Sequence, residues 1–412
     1  MRLAGLVVLA AGLAWAASPA RQRAQALKGQ GKAAEALALF EEAARGEPRD
    51  GALRDEIGFL NAVLGRQEEA IGHFRAAIAL QPGHAPAHYH LGVALWLRQE
   101  PADAIAALRE ARRLAPGNAE YRFRLGTMLY ETGDDAGALA EAQAGTRAAP
   151  ARAELWNLAG MAAQRQGDLA TARTSFERAV KLKPEESAYR NSLGFTLLDL
   201  GMAPEALAQF GAILKRDPEN KTAEINVGYA HLHSGNYDDA LRHFQALAAK
   251  YPGDAVVHYD LGLALKQKDQ LEEARKAFGE ALRLDPDMVE AYYTLGITCW
   301  QAGDAAATAD AMRSAILRRP GYAEAHYMLG TALKQKGELQ EAAKALEEAI
   351  RLNPETPGPF NTLAQIRQLQ GDRAAAKVLF EQAGVVKKKL EAAQAKRLGT
   401  MGPETALPSV RR

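Results

Sequence analysis

Apolar residues recur along the chain with helical spacing, and proline interrupts them at a fixed interval. The prolines lie 34 residues apart, with no insertion or deletion: Pro48, Pro82, Pro116, Pro150, Pro184, Pro218, Pro252, Pro286, Pro320 and Pro354. With this proline numbered as position 32 of each repeat, mostly apolar and small residues occupy positions 7, 8 and 11, with a usually large residue at position 4, and apolar and small residues recur at 20, 24 and 27. Each set follows i, i+3, i+4 spacing, so every repeat predicts two amphipathic α-helices.

Two positions of the repeat are restricted to small residues. Position 8 is glycine in nine consecutive repeats, from Gly58 to Gly330, and position 20 is alanine in every repeat except at Thr308. Position 24 is often aromatic: Phe40, Phe74, Phe176, Phe210, Phe244, Phe278 and Phe380. We therefore expect the two helices of a repeat to approach closely at the small residues, with the position-24 ring filling the space beside them.

The helix ends are also encoded in the repeat. Position 15 is glycine in nine of eleven repeats, with Gln99 and Asp269 as the exceptions. Glycine adopts the left-handed conformation that ends many helices, whereas the proline at position 32 cannot continue a helix. The sequence thus predicts a short turn after the first helix and a stop after the second.

This pattern resembles the tetratricopeptide repeat family, which has a large residue at position 4, Leu at 7, Gly or Ala at 8, Ala at 20, Phe or Tyr at 24 and Pro at 32. The match covers about residues 17–390. Tryptophan occurs at position 4 only at Trp156, and the last repeat has Lys388 in place of the proline. The resemblance implies an all-α, right-handed superhelical solenoid of about eleven tandem helix-turn-helix repeats, stabilised by stacking between neighbours.

The two ends of the chain differ from the repeats. Residues 3–16 are apolar and uncharged, follow Arg2 and end with Ala14-Trp15-Ala16, a pattern typical of a cleaved export signal. The run is shorter than the ~20 residues of a spanning helix, although an uncleaved inner-membrane anchor is the competing interpretation. We expect a signal peptide at 1–16, the solenoid at 17–390, and the end of a capping helix followed by a disordered tail at 391–412. The protein is thereby predicted to be exported, either periplasmic or secreted.

Composition excludes several kinds of partner. The 51 basic and 50 acidic side chains nearly cancel, which gives no electrostatic basis for binding nucleic acid. Membrane association is expected only if the N-terminal segment is uncleaved. The single cysteine, Cys299, cannot form an internal disulfide, and its place at core position 11 predicts a buried thiol.

No motif indicates catalysis, a cofactor or a metal site. His84, His88 and His90 are close in sequence, and the first two have helical spacing for a metal. However, position 4 is histidine again at His258 and His326, so we interpret the recurring histidine as a packing substitute for an aromatic residue. The sequence predicts a non-enzyme without cofactor or metal.

A polar and aromatic stripe remains on the first helices, at positions 2, 5, 9, 12 and 13. By resemblance to the family, this stripe faces the concave side of the superhelix, where partners bind. The predicted partner-binding residues belong to three late repeats: Tyr259, Lys266, Gln267, Tyr293, Trp300, Gln301, Tyr327, Lys334 and Gln335. Rings supply contact area at low entropic cost, and amides can pair with a peptide backbone.

The stripe has two other interpretations. Position-5 and position-9 rings, such as Phe195 and Tyr229, could instead pack on the next repeat; we favour packing at position 9 and a groove at position 5. Stacked rings also suit a sugar face. The sequence therefore predicts an envelope scaffold that binds an extended peptide segment, with the recognition arm of a glycosyltransferase or of a polysaccharide assembly or export system as the alternative.

Overall fold

The structure, a computed structural model, describes residues 19–400, of which residues 394 and 396–400 are described by their backbone alone. These residues form eleven pairs of α-helices, which confirms the predicted all-α repeat architecture. The helices are α1 Pro19–Gly29, α2 Ala33–Gly46, α3 Gly51–Val63, α4 Gln67–Leu80, α5 Ala85–Leu97, α6 Pro101–Leu114, α7 Ala119–Glu131, α8 Asp135–Ala148, α9 Ala153–Arg165, α10 Leu169–Leu182, α11 Ser187–Asp199, α12 Ala203–Arg216, α13 Lys221–His233, α14 Tyr237–Lys250, α15 Ala255–Gln267, α16 Leu271–Leu284, α17 Val289–Gln301, α18 Ala305–Arg318, α19 Ala323–Lys336, α20 Leu339–Leu352, α21 Pro357–Leu369 and α22 Arg373–Thr400.

The chain divides into two compact units, an N-terminal unit that ends at Gln209 and a C-terminal unit that begins at Phe210. Within each unit, a helix packs against the helix before it and the helix after it, and several first helices also contact the first helix of the next repeat. These short-range contacts are what a solenoid requires, because each repeat buries its apolar faces only against its neighbours. The predicted signal segment and most of the predicted tail lie outside the described residues.

The glycine at position 8 is a point of direct contact between the two helices of a repeat. A Cβ atom at Gly262 would lie 2.5 Å from Cε1 of Phe278, and one at Gly228 would lie 2.4 Å from Cζ of Phe244. Six position-24 rings are buried: Phe40, Phe74, Phe176, Phe210, Phe244 and Phe278 are each less than 2% exposed. The predicted roles of positions 8 and 24 are confirmed, because no larger residue fits beside the ring.

In the fourth repeat, the space beside the position-8 glycine is filled by a side chain of the next repeat. Position 24 of the fourth repeat is Ala142, which is too small to reach Gly126. There the space beside the glycine is taken by Leu158 of the next repeat, whose Cδ2 would lie 2.9 Å from a Cβ at Gly126. A small residue at position 24 is thus compensated by a large one across the junction.

Position 15 has the predicted left-handed conformation in every repeat. Its nine glycines have φ between 74° and 88°, and the two exceptions, Gln99 and Asp269, adopt the same region with φ of 63° and 58°. Left-handed backbone is strained for residues other than glycine. The turn geometry is therefore imposed by the packing of the two helices even where glycine is absent.

The recurring histidine at position 4 has a different role from the aromatic packing that the sequence suggested. Nε2 of His88, His258 and His326 donates to the carbonyl of the position-32 proline six residues earlier, at 2.9, 3.0 and 2.9 Å. Arginine and tryptophan make the same bond at three other repeats, from Arg122 to Pro116, Trp156 to Pro150 and Arg190 to Pro184. In these six repeats, position 4 therefore supplies an N–H donor to the proline carbonyl that follows the second helix.

The remaining structural expectations concern Cys299 and the chain ends. The Cys299 thiol is 2% exposed, as predicted, and burial raises its pKa. Helix α1 begins at Pro19, and α22 is 28 residues long, twice the length of α20. Among the described helices, none combines the length and the apolar character that crossing a bilayer demands.

Alanine in place of a position-8 glycine and alanine in place of an exposed glycine should change the free energy of unfolding in opposite directions. Gly262→Ala should destabilise the protein by about 1–3 kcal/mol, because the added methyl overlaps the Phe278 ring. Gly279→Ala, on the exposed side of α16 with open space around it, should stabilise by up to about 1 kcal/mol through helix propensity. Urea denaturation of both variants tests this, and effects of the same sign would contradict the packing role of position 8.

Candidate functional site

The nine predicted partner-binding residues lie on three first helices of the C-terminal unit, α15, α17 and α19. Each helix contributes an aromatic residue at position 5, a lysine or tryptophan at position 12 and a glutamine at position 13. None of the nine side chains hydrogen-bonds to another of the nine in the part of the chain that the structure describes. The site is thus a row that repeats from helix to helix.

The three tyrosines of this row are half-buried, and each contacts residues of its own or the next repeat. Tyr259 Oη lies 3.2 Å from Oγ1 of Thr294 in the next repeat, and its ring centroid lies 5.7 Å from that of Phe278. The Tyr293 ring lies 4.9 Å from that of Tyr322. Tyr327 packs against the core of the last repeats. These contacts restrict the orientation of each ring and leave it partly accessible.

Two of the tyrosines of this row are uncharged. Burial raises the pKa of Tyr259 and of Tyr293, so both phenols remain protonated at physiological pH. A neutral phenol can both donate and accept a hydrogen bond. Tyr259 and Tyr293 therefore offer apolar surface and neutral hydrogen-bonding groups to a ligand.

The position-12 residues of the row are two lysines, Lys266 and Lys334, and one tryptophan, Trp300. Trp300 is half-buried against the core that contains Leu333 and Leu363. The Lys334 ammonium donates to Oε1 of Gln365 in the next repeat. Lys266 has no charged partner among the described residues, so it is the ammonium of the row that can meet an acidic group without first breaking a contact.

The three glutamines at position 13 are the exposed part of the site. Gln267, Gln301 and Gln335 all lie at the solvent surface and have no hydrogen-bond partner within the described segment. Each amide carries two N–H donors and a carbonyl acceptor, the complement of a peptide backbone. An exposed amide in the same place on three consecutive repeats can follow an extended chain, since it offers the same pairing at each repeat.

A buried acid lies one residue after Tyr259. Asp260 is 0% exposed and accepts from the Tyr229 hydroxyl at 2.5 Å, while its second oxygen has no partner among the described residues. Burial raises the pKa of Asp260 to about 7, although the bond from Tyr229 opposes this. Burial, together with the nearby Asp260 carboxylate, raises the pKa of Tyr229 as well. Tyr229 is a position-9 ring that bonds to the next repeat, in agreement with the packing role expected there.

Sequence reasoning missed a second polar cluster, in the N-terminal unit. The Tyr89 hydroxyl donates to Glu120 at 3.0 Å, Arg124 Nε donates to it at 2.8 Å, and an Arg152 nitrogen donates to it at 2.6 Å. The Arg152 guanidinium also lies 4.6 Å from the centre of the Phe123 ring. Burial raises the pKa of Glu120, but the bonds from the two arginines outweigh this and hold that pKa below its usual range. Tyr89 and Phe123 share position 5 with the late tyrosines, but Arg152 comes from position 34, so the repeat pattern did not connect them.

The histidines considered as metal ligands are engaged otherwise. His84 Nε2 and His90 Nδ1 lie 3.3 and 2.8 Å from the two oxygens of the buried Asp55, whereas His88 bonds to a proline carbonyl. The described residues contain no group of three or more side chains arranged to hold a metal ion. The Asp55 cluster links two repeats through hydrogen bonds.

Comparison with known families supports the repeat assignment over most of the chain. Three sequence profiles, each described as the tetratricopeptide repeat, match residues 21–85, 62–119 and 196–255 (first profile), 95–162 and 231–296 (second), and 153–186 and 323–356 (third). Together they cover well over half of the sequence. No curated protein matches the chain.

Solved structures resemble the chain in fold. A tetratricopeptide repeat protein from Parabacteroides merdae aligns with 60% of this chain and 98% of its own at 15% identity, with a TM-score of 0.54. Yeast Tom70 aligns with 93% of this chain and 96% of its own at 15% identity, with a TM-score of 0.47. MamA aligns with 40% of this chain and 97% of its own at 25% identity, with a TM-score of 0.39. The first of these similarities supports the fold and carries nothing about a ligand.

The Asp260 environment predicts a pH dependence of stability. The pKa of this carboxyl is about 7 when folded and near 3.8 when unfolded, so its contribution is fully present below pH 3.8 and is lost as pH rises through 7. Asp260→Asn should therefore be more stable than the parent at pH 8, by on the order of 2–4 kcal/mol, and by less at pH 5. Urea denaturation at both pH values measures the difference.

Tyr229→Phe provides the matched control for this prediction. It removes the hydroxyl that stabilises ionised Asp260, so its destabilisation should be larger at pH 8 than at pH 5. A stability difference between parent and Asp260→Asn that is the same at both pH values would contradict the raised pKa.

Proposed function

Because the chain belongs to the tetratricopeptide repeat family, we propose that it is a non-catalytic scaffold that binds an extended segment of a partner protein along α15, α17 and α19. The observation that carries this proposal is the row of exposed amides, Gln267, Gln301 and Gln335, one per repeat. Amides in register with a solenoid pair with backbone groups whatever the partner's side chains are, which suits an extended segment.

The tyrosines beside these amides supply the apolar part of the contact. Tyr259, Tyr293 and Tyr327 are already ordered by their contacts with neighbouring residues, so a ligand that packs on their free edges loses little further side-chain entropy. Rigid aromatic anchors of this kind carry much of the energy in peptide recognition. Lys266, and Lys334 after release of Gln365, would favour a segment with acidic groups.

A glycan is the second candidate ligand, with the chain acting as the recognition arm of a glycosyltransferase or of a polysaccharide assembly or export system. The same row of rings favours it, because Tyr293, Trp300 and Tyr327 are partly accessible on helices that also carry exposed amides. Rings and amides suit the apolar face and the hydroxyls of a sugar. The two candidates differ in what the amides pair with, so binding assays on both ligand classes separate them.

The site prediction is tested with the exposed amides, because alanine at the half-buried tyrosines would also disturb packing. The triple variant Gln267→Ala, Gln301→Ala and Gln335→Ala should lose about 10- to 2,000-fold in affinity for peptides selected by the parent protein from an array of extended peptides, since each lost amide contributes about 0.5–1.5 kcal/mol. A glycan array is probed in parallel. Helix content by circular dichroism should not change.

The matched control replaces position 22 on the second helices of the same three repeats. Lys276→Ala, Asp310→Ala and Lys344→Ala are equally exposed and should leave peptide affinity unchanged. Equal losses in both triple variants would contradict a site on the first helices. Binding on the glycan array alone would favour the second candidate.

The proposed location is outside the cytoplasm, supported by the apolar run at residues 3–16 and the small residues Ala14 and Ala16. Sequencing the N-terminus of the protein purified from its own cells should give a chain that begins at Ala17. Ala14→Leu should prevent this processing, because the cleavage site requires small residues. A mature chain that retains residues 1–16 and stays with the membrane fraction would indicate an anchor instead.

A further inference from the structure

The last described helix, α22, has an uncovered face that the other second helices bury. Elsewhere in the C-terminal unit, a second helix such as α20 packs against the first helix of the next repeat, α21. No described helix follows α22. Phe380, at position 24 of this repeat, is 36% exposed, whereas Phe244 and Phe278 at the same position are fully buried. The stacking surface of the solenoid therefore continues onto the open side of α22.

The exposed side of α22 around Phe380 carries an ordered series of charges around a glycine. Lys377, Glu381, Gly384, Lys387 and Glu391 follow one another at intervals of three or four residues, so they lie along one side of the helix. The glycine is exposed, and no atom lies within 4 Å of the place where its Cβ would be. The middle of this side therefore has no side chain, and one Lys–Glu pair lies on each side of it.

Residues at equal distances before and after Gly384 in this series carry opposite charges. Lys377 and Glu391 each lie seven residues from Gly384, and Glu381 and Lys387 each lie three residues from it. In two antiparallel copies of α22 that cross at Gly384, Lys377 would therefore oppose Glu391, and Glu381 would oppose Lys387. Two-fold symmetry repeats both pairings, giving four ion pairs across one contact.

We infer that α22 is a self-association surface, on which a second copy of this chain packs its own α22 in antiparallel orientation. Gly384 at the crossing lets the two helix axes approach closely, because interaxial distance depends on the side chains at the contact. Phe380 would lie opposite Lys388 of the other copy, whose aliphatic stem covers the ring. The matched charges fix orientation and register, as they do in other paired helices.

The existing ion pairs do not compete strongly with this arrangement. Within α22, Lys377 lies 4.0 Å from Glu381 and Lys387 lies 3.9 Å from Glu391, and all four side chains are more than half exposed. Exposed pairs of this kind contribute little, so their charges can be shared with a second helix at small cost. The inference is independent of the proposed groove on α15, α17 and α19.

A charge-exchange experiment tests the inference on the full chain. Sedimentation velocity of the parent should show a concentration-dependent dimer. Glu381→Lys with Glu391→Lys makes all four charges positive, and Lys377→Glu with Lys387→Glu makes them all negative, so each double variant alone should dimerise at least 10-fold more weakly. An equimolar mixture of the two variants should recover a heterodimer, because opposite charges then face each other.

The control applies the same change in charge elsewhere. Glu42→Lys with Glu69→Lys alters two exposed acids of the N-terminal unit and should leave dimerisation as in the parent. Circular dichroism verifies that every variant is folded. A parent that stays monomeric at all concentrations, a mixture that fails to recover the heterodimer, or a control that weakens association equally would each overturn the inference.

Discussion

The contact between a glycine without a Cβ atom and a buried position-24 side chain determines the spacing of the helices in this protein. At Gly228 and Gly262 the ring of the facing phenylalanine occupies the volume in which a methyl group would lie. Close approach of this kind excludes water and maximises dispersion contacts along the helix pair. Because it recurs in most repeats, the arrangement of the first helices, and with it the row of candidate binding residues, follows from this one steric fit.

The same constraint separates packing residues from residues that are free to vary. Positions 8, 20 and 24 are buried in most repeats, whereas position 13 on the first helices is exposed at Gln267, Gln301 and Gln335. Position 5 is intermediate, since Tyr259 bonds to Thr294 of the next repeat and is only half-buried. A binding surface can therefore be altered at position 13 without loss of fold, but only within limits at position 5.

Helix positions, the glycine contacts and the left-handed turns could be predicted from the sequence, because each leaves a residue-type signal every 34 residues. The bond from position 4 to the proline carbonyl was misread, since histidine, arginine and tryptophan share a donor rather than a shape. The Tyr229–Asp260 pair had no periodic signal at all. It joins positions 9 and 6 of different repeats and occurs once, so only the folded arrangement reveals it.

The donor at position 4 also bears on how such a chain can change in evolution. The bond from His326 to the Pro320 carbonyl spans six residues across the boundary of two repeats, and five other boundaries have the same six-residue bridge. Adding or removing one residue there would shift the donor around the helix by about 100° and break the bridge. Gain or loss of whole 34-residue repeats keeps position 4 in register with the preceding position 32, so growth by complete repeats leaves these bridges intact.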